Sequence, residues 1–529
     1  MAHEARRPQG RLSGLDLALC LAVGIGALSL YARTLYPGLL PGDSGEFQAL
    51  ARLLGNTHPT GYQVYLLLAY PLSWLPVGSI AYRINLFSAV MGALAVAGTY
   101  LAGRLLTGRR WAALLGAVAL CVSATFWSQA LIAEVYTAGA AFLAGVLVSL
   151  LYWHRTEHAW ALAIAALLGG LSIGVHLTVA LVGPAAALYV WLRRRREWRT
   201  WRAALAGASV GVCLAVGAFV ALDARDSPAD FIRAAILPSR SVYGLSEADL
   251  DSPFERLAFS LGGRQFRQRM FADVPEVMER NVRAFVGNLE HEFSLPTLAL
   301  ALLGSLAVLA RQRQLAVLLL GSLALQWAYA FNYDIGDIYV FHIPSYLLMA
   351  LLAAAGAAWL ADATARWRSS SWQRRVVAGI GAVLLTAAAI WPIAVPRLPA
   401  LRAGRVPQFP FEHYPVDDGL AREHLRLRLV VQRLEPGALL FAEWRRLYPY
   451  YYVAHLEEGR SDLRFVELQP HRVGESAETS VIEYVGAQLK ERAVYLERCL
   501  PELVDAGLIC WPVPAGVDTL YRMRQARGP

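Results

Sequence analysis

Residues 36–65 read YPGLLPGDSGEFQALARLLGNTHPTGYQVY and come straight after the first long apolar segment of the chain, 15–32. Two acids, Asp43 and Glu46, stand a few residues beyond that segment, and His58 follows before the sequence turns apolar again. A carboxylate beside a bilayer is costly unless it faces a water-filled cavity or does chemistry. The stretch therefore reads as the catalytic loop of a membrane enzyme.

Composition supports the membrane. The 529 residues are 56% hydrophobic and 17% charged, whereas soluble domains carry about 25% charged residues. The deficit lies before residue 396, so the chain reads as a polytopic helical membrane protein with a soluble tail. The net charge of +9 does not point to nucleic acid, because the arginines are spread over short loops between apolar segments. That is the pattern expected of loops retained on the cytoplasmic side. Lys490 is the only lysine; with the excess of Ala, Gly and Leu, this hints at a GC-rich bacterial genome and hence a bacterial inner membrane. The basic start (Arg6, Arg7, Arg11) is followed by no small-residue cleavage site, and 15–32 is long enough to be a retained first helix.

Eleven apolar segments are expected to span, near 15–32, 80–103, 111–129, 135–153, 159–176, 177–192, 203–222, 296–310, 314–332, 339–361 and 376–395. With the N-terminus inside, every cytoplasmic loop is basic: Arg104, Arg109 and Arg110; Arg155; RRRREWRTWR at 193–202; Arg311 and Arg313; Arg366, Arg368, Arg374 and Arg375. Segment 61–76 is also apolar, but a span there would move Arg104, Arg109 and Arg110 outside, so it is expected to be re-entrant or interfacial. The C-terminus then lies outside the cytoplasm.

The expected organisation is a membrane domain, 1–395, and a small extracytoplasmic α/β domain, 396–529. In the tail, 418–434, 447–458 and 478–491 look helical, and 438–443, 462–468 and 493–497 look like strands. It holds no GxGxxG, P-loop or nucleophile elbow. Cys20, Cys121 and Cys213 lie in apolar helices as packing residues. Cys499 and Cys510 could pair in an oxidising compartment, and two buried free thiols fit equally well.

This topology gathers Asp43, Glu46, His58, Glu134, His176, Asp334, Asp337 and His342 at one face. Asp43 could be a helix N-cap or a base that deprotonates or orients an acceptor hydroxyl, with Glu46 supporting it. His58, on a loop shaped by Pro59 and Gly61, fits a contact to a donor phosphate, a metal ligand or a plain surface histidine. Glu134, in WSQALIAEVYT, faces the cavity or simply starts a helix. His176, in SIGVHLT, is a ligand or a buried hydrogen-bonded group. A Glu, Asp and His set could take a divalent cation, though no spacing specifies one. Arg83, in AYRINLFSAV, could hold a lipid phosphate or snorkel to headgroups, and Arg240 is a second phosphate candidate. FNYDIGDIYVFHIPSY (331–346) adds Asp337 and Tyr339 as binding candidates.

Taken in order, PGDSGEF, HPTGY, RINLFSA, SQALIAEVY, GVHLT and DIYVFHIPSY resemble a large family of integral membrane proteins once described only as a domain of unknown function. Its vertebrate member is a transmembrane protein O-mannosyltransferase, and the family falls in the GT-C class of glycosyltransferases. The resemblance covers about 12–395, and ALLFAEWRRLYPYYYVAHLEEGRSDLRFVEL is similar to the family's soluble segment. It implies a polyprenyl-phosphate-linked sugar donor, a protein or glycolipid acceptor, and an acid of the first outer loop at that acceptor; the matching positions are Asp43 and Glu46. The expected reaction is inverting transfer of a sugar to a hydroxyl, with Arg83 and His58 on the donor phosphate and Glu134 and His176 completing the pocket. A transporter or flippase would instead place its charges at the membrane midplane. A scaffold with a partner-binding tail would leave the first-loop acids without a role.

Overall fold

Ser13 opens the first membrane helix, α1 (Gly14–Arg33), with a reciprocal cap: its hydroxyl accepts from the Asp16 N–H at 3.2 Å and the Asp16 carboxylate accepts the Ser13 N–H at 2.8 Å. The computed structural model describes residues 12–246, 248–365, 371–409, 419–469 and 479–525, with 365 and 371–379 described by backbone alone. Arg6, Arg7, Arg11, Arg366 and Arg368 of the expected basic loops lie outside the described residues, as do the side chains of Arg374 and Arg375.

Short helices α2 (Gly42–Leu53) and α3 (Gln63–Ala69) follow α1. The apolar half continues with α4 (Ile80–Thr107), α5 (Arg110–Val122), α6 (Ala124–Gln129), α7 (Tyr136–Thr156), α8 (Ala159–Leu171), α9 (Gly183–Arg194) and α10 (Trp198–Asp223). A long connection holds α11 (Pro253–Gly262) and α12 (Val274–Glu292). Then come α13 (Leu295–Arg311), α14 (Arg313–Ala330), α15 (Ile343–Ala365) and α16 (Ser371–Ala394).

Among the described residues, six helices are long and apolar enough to cross a membrane, and the pair α12 and α13, bent by 113°, brings the number to seven if it counts as one span. Eleven full crossings are not confirmed, and helix length is the reason. Helices α5 and α8 have 13 residues each and α9 has 12, about 20 Å at 1.5 Å per residue against about 30 Å of hydrocarbon. The stretch 159–192 is broken by 3₁₀ turns at Ser172–Gly174 and Leu177–Val182. Segment 61–76 does not form a helix of spanning length. It forms α3, of 7 residues, and a 3₁₀ turn at Tyr70–Trp74, too short to cross, with Leu67, Leu68, Trp74, Leu75 and Val77 exposed.

Membrane helices associate through close backbone approach at small residues. Helices α13 and α15 cross at Gly304 and Gly356, where an added Cβ would overlap the Leu352 and Leu300 carbonyl oxygens respectively. Helix backbone cannot give way as a flexible side chain can. Gly304→Leu is therefore expected to lower the thermal midpoint of the detergent-solubilised protein, at a cost of about 3 kcal/mol. Leu302→Ala, at a side chain that is 63% exposed, should leave it unchanged.

The remaining helices are α17 (Leu398–Ala403), α18 (Gly419–Arg433), α19 (Trp444–Tyr451), α20 (Thr479–Gln488) and α21 (Pro501–Asp505). Strands β1 (Leu439–Ala442), β2 (Arg464–Glu467), β3 (Val494–Leu496), β4 (Leu508–Ala515) and β5 (Asp518–Gln525) form one sheet in the order β2-β1-β3-β5-β4. Strand β1 runs parallel to β2 and β3, and β5 is antiparallel to β3 and β4. The expected strands and helices of the tail are present. The β4–β5 hairpin is additional to them, because Pro512 and Pro514 interrupt the β4 run and hide it in the sequence. At the sheet edge, prolines cost a strand no ladder bonds on its free side. Cys499 and Cys510 are joined in a disulfide, with their Cα atoms 6.0 Å apart.

Candidate active site

Helix α2 starts at Gly42, whose φ of +63° is a backbone conformation suited to glycine. Pro41 is its N-cap and no side chain caps it. Asp43 is therefore not a cap. It lies in the first turn, where the helix dipole favours a negative charge, and its side chain is 45% exposed. The rest of the helix is held tightly. Ser44, Gly45, Glu46, Phe47 and Gln48 are buried, and Gln48 accepts the Leu40 N–H at 2.9 Å and donates to Asn85 at 2.8 Å. At Gly45 an added Cβ would stand 2.9 Å from Pro449 of α19, so the tail packs directly on this helix.

One turn on, Glu46 is fully buried and faces His58 twice. It accepts the His58 backbone N–H at 2.8 Å, and its second oxygen pairs with ring Nδ1. The other ring nitrogen, Nε2, stands 3.9 Å from the Asp43 carboxylate. Phe47, Tyr62, Phe231 and Trp444 surround the imidazole. Burial alone would push His58 down, but the Glu46 and Asp43 carboxylates outweigh it, and the imidazole is pushed up to about 9. At neutral pH the loop thus presents a buried cation beside an accessible carboxylate.

Glu134, between α6 and α7, accepts the Ser44 hydroxyl at 3.1 Å, and its own backbone exchanges hydrogen bonds with Ser88. Burial, and then the nearby Asp43, push its carboxyl well above the usual carboxylate range. Asp337 is exposed and lies close enough to Asp43 and His58 to interact with both electrostatically. It precedes the 3₁₀ turn Ile338–His342, which carries a half-buried Tyr339. His176 forms the wall behind: its ring shares a 2.6 Å hydrogen bond with Thr178, stacks on Tyr62 and packs on Tyr136 and Phe341.

The structure engages the two arginine candidates elsewhere. Arg83 donates to the carbonyls of Ser73 at 2.7 Å, Val77 at 2.7 Å and Gly78 at 3.0 Å. It clamps the turn after α3 onto the start of α4, which explains a basic residue at that end of a span. Arg240 pairs with Glu483 of α20 at 3.5 Å. Two further residues also sit apart: Asp334 pairs with Arg280 at 2.5 Å, and His342 is buried against Phe285 and Phe331. Among the described residues no three His, Cys, Asp or Glu side chains converge as a metal-ligand set.

Trp444 is a site residue that the sequence does not disclose. Its indole N–H donates to the second oxygen of Asp43 at 3.0 Å. The aromatic run WRRLYPYYY (444–452) is the available signal, but nothing in the sequence joins it to a loop 401 residues earlier. Phe231 stays hidden for the same reason.

Residues 43–199 match the family model of the protein O-mannosyl-transferase TMEM260 N-terminal domain. The resemblance drawn from PGDSGEF, HPTGY, RINLFSA, SQALIAEVY and GVHLT is thus borne out, while DIYVFHIPSY lies outside the matched residues. The matched stretch contains Asp43, Glu46, His58, Glu134 and His176. The protein O-mannosyl-transferase TMEM260 of Mus musculus is 34% identical over 131 residues, 25% of this chain and 18% of that protein. Its Dictyostelium discoideum counterpart is 29% identical over 141 residues, 26% of this chain and 17% of that one. The chain thus matches less than a fifth of the length of these curated relatives. In fold it is similar to ArnT from Cupriavidus metallidurans bound to undecaprenyl phosphate, with a TM-score of 0.56 at 13% identity over 97% of this chain and 98% of ArnT. The oligosaccharyltransferase of Archaeoglobus fulgidus gives 0.52 at 12% identity over 91% of this chain and 69% of that one. The architecture is that of a GT-C glycosyltransferase, multi-pass and membrane-embedded.

Proposed function

We propose that the protein transfers a sugar from a polyprenyl-phosphate-linked donor to an acceptor hydroxyl, at the extracytoplasmic face of the membrane. One observation carries the reading: an accessible carboxylate, Asp43, stands beside a buried, charged His58 that Glu46 holds in place. Asp43 takes or orients the proton of the acceptor hydroxyl, whose oxygen attacks the anomeric carbon. The bond from that carbon to the phosphate oxygen breaks, the configuration inverts and the polyprenyl phosphate leaves. A phosphate leaving group needs no strong general acid. The His58 imidazolium beside Asp43 supplies a positive charge on the acceptor side of the site. Residues 1–395 form the membrane unit and 396–529 its cover.

The TMEM260 relatives, named as protein O-mannosyl-transferases, support mannose as the sugar and a protein as the acceptor. ArnT with undecaprenyl phosphate supports the lipid carrier. A transporter is disfavoured because Asp43 and His58 lie in a connecting loop rather than within a span. Given labelled polyprenyl-phosphate mannose with a Ser/Thr peptide and a glycolipid together, the protein is expected to label the peptide. Label on the glycolipid alone would reject the protein acceptor.

The face rests on two observations. Trp444 touches Asp43, so the tail and the first loop share one side, and the arginine-rich loops point to the other as the cytoplasmic one. In a variant lacking Cys20, Cys121 and Cys213, Ser461→Cys should react with an impermeant thiol reagent in intact cells, and Glu197→Cys only after lysis. The reverse order would overturn the orientation.

A further inference from the structure

We propose that Trp444, carried by the C-terminal tail, is a positioning residue that sets which oxygen of Asp43 faces the acceptor. The inference rests on the reading of Asp43 as the group that takes the acceptor's proton. The indole Nε1–H donates to Asp43 Oδ1 at 3.0 Å, while His58 Nε2 stands 3.9 Å from the other oxygen, Oδ2. With Oδ1 occupied, Oδ2 is the oxygen left for a substrate hydroxyl, next to the charged imidazole. No cap bond restrains the Asp43 side chain, so a single charge-assisted hydrogen bond decides its rotation.

The indole is itself held. It packs edge-on against His58, Phe231 and Tyr448, with ring centroids 6.1, 5.8 and 5.6 Å away. The start of α19 is pinned to the sheet by the Glu443 N–H, which donates to Glu497 at 2.8 Å just past β3. Arg446 adds an ion pair to Glu423 at 2.7 Å. The fold of the tail thus determines where the indole N–H points, and the membrane half lacks a complete site without it.

The discriminating variant keeps the shape of the ring and removes the donor. In full-length protein, Trp444 is replaced by benzothienylalanine, which carries sulfur in place of the indole N–H. The expected result is a fall in kcat of about 10-fold or more, with KM for donor and acceptor and the thermal midpoint unchanged. Trp444→Phe should show at least the same loss. In an Asp43→Asn background, the residual single-turnover rate should fall no further when the donor is removed. A normal kcat in the benzothienyl protein would overturn the proposal. So would a change in KM alone, or an equal loss in the Asp43→Asn background. If Asp43→Asn is itself fully active, the reading of Asp43 fails. If Asp43→Asn is inactive and the benzothienyl protein is not impaired, the positioning role alone fails.

Discussion

Asp43→Asn is expected to lower turnover by at least about 100-fold while the protein inserts, folds and melts as the wild type does. The substitution is nearly isosteric, and the amide oxygen of the introduced asparagine can still accept the Trp444 indole N–H. What it removes is the negative charge and the basic oxygen beside His58. Loss of a positioned base costs about 10²–10⁴ in rate, and about 100-fold corresponds to about 2.7 kcal/mol of transition-state stabilisation. Asp43 is exposed and caps nothing, so little folding energy is at stake. Steady-state transfer, with the thermal midpoint measured alongside, checks the expectation. Near-normal turnover by a folded Asp43→Asn protein would remove Asp43 from the mechanism.

Glu46→Gln should be comparably severe, for a different reason. Glu46 is the first of the charges that outweigh burial and raise His58 to about 9. With Gln in its place, Asp43 is the main charge left to oppose the desolvation of the ring. The imidazole then loses its proton near or below neutral pH. In the wild type, activity that needs charged His58 is present below about pH 9 and is lost as pH rises through that value. In Glu46→Gln the alkaline limb should move down by about three pH units, so that turnover at about pH 8 is reduced about 100-fold. Stability follows the same sign. A histidine raised from 6.5 to about 9 on folding contributes stability that is full below 6.5 and gone above about 9. A pH–rate profile of the two proteins between about pH 6 and 10 decides the matter, and coincident alkaline limbs would rule out the assigned role of Glu46.

The loop 36–65 is legible in the sequence because its chemistry is local. An acid, a second acid three residues on and a histidine between helix breakers need only a membrane beside them, and composition supplies that. The strands at 438–443, 462–468 and 493–497 are legible through short apolar runs flanked by turns, and the structure has them at Leu439–Ala442, Arg464–Glu467 and Val494–Leu496. Span counting is less successful. An apolar run states that a segment is buried in something, and around α5 that something is largely protein, which relaxes the length a helix must reach, whereas α8 and α9 leave Trp160, Leu188 and Trp191 exposed. Arg83 shows the limit for single residues. Its position at the start of a span is visibly unusual, but three backbone carbonyls, invisible in sequence, account for it. Trp444 shows the limit for pairs: its partner is far away in the chain, and the register of α19 against α2 is set by the packing of Pro449 on Gly45.

Transfer itself is the decisive measurement. Purified full-length protein, reconstituted in lipid, is given polyprenyl-phosphate mannose labelled in the sugar together with a Ser/Thr-containing peptide. The products are read for label, for released polyprenyl phosphate and for anomeric configuration. The expected result is labelled peptide and polyprenyl phosphate in equal amounts, with the configuration inverted relative to the donor and at least about 100-fold slower product formation by Asp43→Asn. Retained configuration would contradict the one-step displacement at Asp43, and absence of turnover with every polyprenyl-phosphate sugar offered would contradict the transferase itself.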